Sequence, residues 1–83
     1  MNDKNETTNP EYYRKWNIEP AVYIMENGLE FWRGNIIKYA SRAGYKLYEG
    51  NDYFESEIKD LRKLIEYAEM RIEQIDFADN DGK

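Results

Sequence analysis

The sequence predicts an all-α fold: a small bundle of about three helices with a long C-terminal helix, completed by oligomerisation. Three observations lead there. Apolar residues recur at three- and four-residue steps through most of the chain, the spacing of one helix face. Gly and Pro fall where helices would start and stop, at Pro20, Gly28, Gly44 and Gly50. The chain has only 83 residues, so its own core is small and self-association is expected.

Residues 1–9 are polar and aperiodic and are expected to be disordered. The helical domain is expected over 10–76. Asn9-Pro10 signals a turn, and Tyr12, Tyr13 and Trp16 then crowd three rings into five residues, an arm that must dock. A first helix of about ten residues begins near Pro20, with Ile18, Val22 and Met25 sharing a face. Asn27-Gly28 ends it. A second helix is expected from about Leu29 to Ala43, ending at Gly44. Residues 45–51 form a loop. Asp52 and Glu55 have the spacing of a capping box with an acidic cap.

The third helix is expected to run to about Asp76. Phe54, Ile58, Leu61, Ile65, Ala68, Ile72 and Ile75 alternate four- and three-residue steps, a heptad seam widened by Leu64. The pattern is expected to be bundle core, with a coiled-coil-like seam between copies as the alternative. Residues 77–83 are expected to be an acidic, flexible tail. Asp79-Asn80-Asp81-Gly82 has no Glu at calcium-loop distance, so no calcium site is implied.

Composition excludes much chemistry. With no Cys and no His there are no disulfides, thiolate or histidine metal sites, or histidine acid–base catalysis. No metal, cofactor or catalytic residue is assigned. No apolar run reaches membrane-span length, and the polar N-terminus is unlike a secretory signal, so a cytoplasmic location is expected. The net charge of −5 is unevenly spread: 10–48 holds six basic and four acidic residues, and the remainder six basic and thirteen acidic. An acidic chain is a poor DNA binder, and no DNA or membrane partner is expected. A local basic patch can still hold a small anion.

The candidate site lies on the second helix. Trp32, Ile36, Tyr39 or Ala40, and Ala43 form its apolar stripe. Asn35, Lys38 and Arg42 recur on another face, beside Gly34. Arg offers a planar fork for phosphate and Lys a mobile charge. Asn can donate and accept towards a base or sugar. Gly34 leaves room for a flat group or a neighbouring backbone, and Tyr39 or Tyr45 can stack on a ring, with Lys46 alongside. The nucleotide-binding set is thus Gly34, Asn35, Lys38, Tyr39, Arg42, Tyr45 and Lys46. The plainer alternative is a helix face whose cations pair with acids of the third helix, such as Asp60.

Four stretches carry a resemblance: Asn9-Pro10-x-Tyr12-Tyr13; Ile18-Glu19-Pro20-x-x-Tyr23-Ile24; Leu29-x-Phe31-x-x-Gly34-Asn35-x-Ile37-Lys38-Tyr39-x-x-Arg42; and Asp60-Leu61-x-Lys63-x-x-x-Tyr67. Together they resemble a small tailed-phage family of unknown function, often labelled nucleotide kinase after an early protein of phage T7. Its members commonly show His-Tyr where this chain has Tyr12-Tyr13. The resemblance implies a nucleotide-related phage protein. The kinase label conflicts with the residues: there is no Gly-x-x-x-x-Gly-Lys-Ser/Thr loop or protein-kinase signature. Glu66, Glu69 and Glu73 lack the distal Asp of a pyrophosphohydrolase site. The expected function is a non-catalytic binder or sponge of a nucleotide or cyclic-nucleotide signal, working as a homo-oligomer against host immunity. The alternatives are a nucleoside-monophosphate kinase without a P-loop, and an inhibitor of a host protein acting through the aromatic and acidic surface.

Overall fold

The computed structural model describes residues 15–81, and side chains as far as Asp79. The expected disorder of 1–9 and the rings of Tyr12 and Tyr13 lie outside the described residues. Within them the protein is all-α: α1 (Pro20–Glu26), α2 (Phe31–Arg42) and α3 (Tyr53–Asp81).

Each helix begins and ends for a local reason. Pro20 opens α1 at a position where a backbone donor is not needed. The helix is seven residues long, shorter than its sequence pattern predicts, because Ile18 and Glu19 precede it in non-helical backbone. Asn27 Nδ2 donates to Tyr23 O at 2.8 Å, and Gly28 then turns the chain at φ +58°, a conformation that side chains resist. Gly44 plays the same part after α2 at φ +88°. At the start of α3 the capping box closes in both directions. Glu55 N–H donates to Asp52 Oδ1 at 2.7 Å, and Asp52 N–H donates to Glu55 Oε1 at 2.8 Å.

α2 and α3 form an antiparallel hairpin. Arg42 meets Asp60 near the loop, Tyr39 and Phe31 meet Tyr67, and Arg71 lies over Trp32 near the far end. α1 packs across α2 through Ile24. A Cβ on Gly34 would stand 2.8 Å from Ile24 Cγ2, so the helix-interior glycine is a packing requirement here. Trp16 anchors the approach to α1: its indole N–H donates to Ser41 O at 3.2 Å, and its ring meets Tyr45 edge-on at 5.8 Å.

Two expectations are corrected. α3 does not end near Asp76 but continues to Asp81, because no Gly or Pro interrupts the sequence between Asp52 and Gly82. The heptad seam is not the core of this chain. Phe54, Ile58, Leu61, Ile65, Ile72 and Ile75 are each 39–78% exposed. α3 turns a different face to α2, with Ser56 and Asp60 fully buried and Lys63, Leu64, Tyr67 and Arg71 half-buried. The two faces lie about a third of a turn apart at 100° per residue. No Ala, Val, Ile, Leu, Met, Phe, Trp or Tyr among the described residues is fully buried.

Candidate functional site

The hairpin is centred on a polar cluster. Arg42, in the last turn of α2, reaches across to Asp60, about two turns into α3. Its Nε donates to Asp60 Oδ1 at 3.3 Å, and Nη2 lies 3.3 Å from the same oxygen. Tyr48, from the connecting loop, closes a triangle. Arg42 Nη2 donates to Tyr48 Oη at 2.6 Å, and Tyr48 Oη–H donates to Asp60 Oδ1 at 2.6 Å. Ser56, one turn before Asp60, accepts from Tyr48 N–H at 2.9 Å and so fixes the loop to α3. Burial pushes the Tyr48 phenol up to about 12, helped by its hydrogen bond to Asp60 and opposed by Arg42. Asp60 Oδ2 is buried without a hydrogen-bond partner among the described residues.

Cations and rings surround this cluster. Tyr39 stacks on Tyr67, with centroids 6.0 Å apart and planes 15° apart. Lys38 Nζ lies 4.7 Å from the Tyr39 ring centroid, Arg42 Cζ 4.6 Å and Lys63 Nζ 5.6 Å. Lys46 Nζ lies 4.5 Å from the Tyr48 ring and Lys59 Nζ 6.0 Å. Desolvation holds the Lys46 ammonium below the usual lysine range, and Arg42 adds to the effect. None of Lys38, Lys46, Lys59 and Lys63 has a carboxylate within salt-bridge distance among the described residues. In an acidic chain, this concentration of cations is local.

The sequence-predicted residues divide between three places. Lys38, Tyr39, Arg42 and Lys46 come together around the cluster, but the Arg42 fork is buried on Asp60 and Tyr48 and does not face outwards. Gly34 and Asn35 lie towards the start of α2. Asn35 Nδ2 donates to Phe31 O at 2.8 Å, and Gly34 faces Ile24. With Lys38 they line an apolar groove of about 360 Å³ between α1 and α2, walled by Pro20, Ile24 and Phe31. Tyr45 turns away towards Trp16, with Lys15 Nζ 4.9 Å from its ring. Lys59, Lys63 and Tyr48 join the site without having been predicted for it. Lys63 had a signal in the Asp60-Leu61-x-Lys63 stretch; Tyr48 had none, because only the folded loop brings it to Arg42.

Among the described residues no group of three or more Asp and Glu side chains is placed to hold a metal ion, and no helix is long and apolar enough to cross a membrane. The chain belongs to a protein family of unknown function, DUF3310, whose model matches residues 7–69. Neither the curated proteins nor the solved structures contain a match to it.

Proposed function

We propose that this DUF3310 protein binds a nucleotide or cyclic nucleotide without turning it over, on the lysine-rich face formed by α2, the loop and α3. One observation carries the reading: Lys38, Lys46, Lys59 and Lys63 lie over Tyr39 and Tyr48, with no carboxylate in salt-bridge contact with them among the described residues. Several ammonium groups around aromatic rings suit a ligand that carries phosphate charge and a flat base. Arg42 supports the face from below by holding Asp60, and its role is to position Tyr48. The reading stops at binding because Asp60, the carboxylate at the centre of the cluster, is fully buried, with Oδ1 engaged by Arg42 and Tyr48. It is therefore withheld from a ligand as general base or metal ligand.

The resemblance to small tailed-phage proteins supplies the setting: the cytoplasm of an infected bacterium, where sequestering a nucleotide signal would blunt host immunity. The test is mass spectrometry of nucleotides retained by the natively purified protein, followed by calorimetry with each retained species. Binding should weaken by about tenfold for each of Lys46→Ala and Lys63→Ala, and should weaken further with added salt. If no nucleotide is retained and ATP, nucleoside monophosphates and cyclic dinucleotides all fail to bind at millimolar concentration, the reading is wrong. Formation of a diphosphate from ATP and a monophosphate would replace it with the kinase alternative.

A further inference from the structure

We propose that the exposed seam of α3 is the contact between two copies of this chain, paired parallel and in register. The seam runs from Phe54 to Ile75, roughly 30 Å of helix at 1.5 Å per residue. Its large side chains are 39–78% exposed. A helix of this length that leaves such a stripe open is normally covered.

Among the described residues nothing covers it. α2 is already committed to the neighbouring face of α3 through Asp60 and Tyr67. α1 packs on α2 through Gly34. The sequence outside the described residues, 1–14 and 82–83, offers only Met1, Tyr12 and Tyr13 as large apolar groups.

A second copy can cover the seam, which is written for one. Ile58, Ile65 and Ile72 occupy the a positions, with Phe54, Leu61, Ala68 and Ile75 at d. Isoleucine at all three a positions suits two parallel strands, and among the d residues Leu61 fits that pattern. The flanking charges point the same way. In a parallel pair each g residue faces the e residue five positions later on the partner. Here Glu57, which rests against Gly44 in the single chain, would face Arg62 of the other copy, and Arg71 would turn from the Trp32 ring and Gln74 to face Asp76, each contact occurring twice by symmetry. The remaining g–e pairing, Leu64 with Glu69, brings no like charges together. An antiparallel pair that sets Leu61 against Ile72 would gain Arg62 opposite Glu69 but would place Glu55 opposite Asp76, two like charges. Lys59 and Lys63 fall at b and f, pointing away from the seam, so the pairing neither needs nor obstructs the lysine face.

The absence of Cys gives a direct test. Sedimentation equilibrium of the full chain should give twice its 10.0 kDa mass. Ile65→Glu should return it to monomer with α-helical circular dichroism retained. Ile75→Cys should cross-link to its own copy nearly completely under mild oxidation, since parallel register sets the two residues side by side. Arg62→Glu should weaken the dimer by at least about tenfold, and adding Glu57→Arg should restore it. A monomer at 100 µM overturns the proposal. So does a dimer that Ile65→Glu leaves intact. A dimer in which Ile75→Cys stays reduced overturns it too, because an antiparallel pair holds these residues roughly 25 Å apart.

Discussion

The Arg42 guanidinium holds Asp60 through two nitrogens, Nε and Nη2, both 3.3 Å from the single oxygen Oδ1. Asp60 is fully buried and Arg42 is 8% exposed, so the pair is shielded from water. Breaking it from one side leaves a charge with little solvent. Arg42→Ala should therefore destabilise the fold by about 3–5 kcal/mol in urea melts. Arg42→Lys should recover only part of that, because one ammonium cannot serve Asp60 and Tyr48 in the guanidinium geometry. Replacing both partners with apolar residues, Arg42→Met with Asp60→Leu, should be much milder than either single change. A melt of Arg42→Ala within about 0.5 kcal/mol of wild type would show that the pair does not hold the hairpin.

Tyr48 gives the cluster a pH dependence at the alkaline end. Its phenol is raised to about 12 in the folded chain, from the 10 of an unburied tyrosine, first by burial and then by its bond to Asp60. The folded state thus keeps a proton that the unfolded state gives up. The associated stability is present below pH 10 and declines as pH rises from about 10 to 12. Partial exposure of the ring reduces the effect to roughly 1–2 kcal/mol. Other tyrosines and lysines titrate in the same range, so the informative quantity is the difference between wild type and Tyr48→Phe. That difference should shrink from pH 9 to pH 12, and a constant difference would remove Tyr48 as the group responsible.

Gly34 separates two effects of opposite sign. Alanine is the better helix former by about 1 kcal/mol. Its Cβ, however, would meet the branched carbon of Ile24 at 2.8 Å. Overpacking of that kind costs about 1–3 kcal/mol, so Gly34→Ala should lower the melting temperature. The same change in an Ile24→Ala background should be neutral or stabilising, since the clash is gone and the helix gain remains. A rise in melting temperature from Gly34→Ala alone would mean that α1 yields easily and that the close approach has another purpose.

Much of this architecture is legible in the sequence. The glycines at 28 and 44, Pro20, and the Asp52–Glu55 pair act locally, and each ends or begins a helix where its own chemistry requires. The packing face of α3 is harder to read. Periodicity shows which residues share a face, but not which face meets the neighbouring helix. The most apolar stripe, Ile58-Leu61-Ile65, looks like the core, yet the hairpin closes over Ser56, Asp60 and Tyr67. A buried carboxylate is recognisable only with its partners, and Tyr48 comes from a loop whose path no spacing rule gives. The Arg42–Asp60 pairing is foreseeable as the plainer account of the α2 cations. It leaves the lysines, not the arginine, to face a ligand.

The same division supplies the sharpest test of the site. Lys46 and Lys63 lie over the rings of Tyr48 and Tyr39 and make no ion pair among the described residues. Removing either should cost little stability, because each makes no ion pair among the described residues and a solvated cation–π contact is worth only about 0.5–1 kcal/mol. Lys46 is held below the usual lysine range by burial and by Arg42 nearby, so Lys46→Ala should be neutral or slightly stabilising in a melt. Each change should still weaken nucleotide affinity by about tenfold, the value of a charge-assisted phosphate contact. Arg42→Ala should show the reverse order, with loss of stability first and loss of binding only as the fold fails. Arg33, paired with Glu30 at 2.7 Å on the exposed side of α2, is the control, and Arg33→Ala should change neither quantity appreciably. Calorimetry and melts on the same four variants decide the matter. If Lys46→Ala and Lys63→Ala bind like wild type while a folded Arg42→Ala does not, the ligand is reading the guanidinium and not the lysine face.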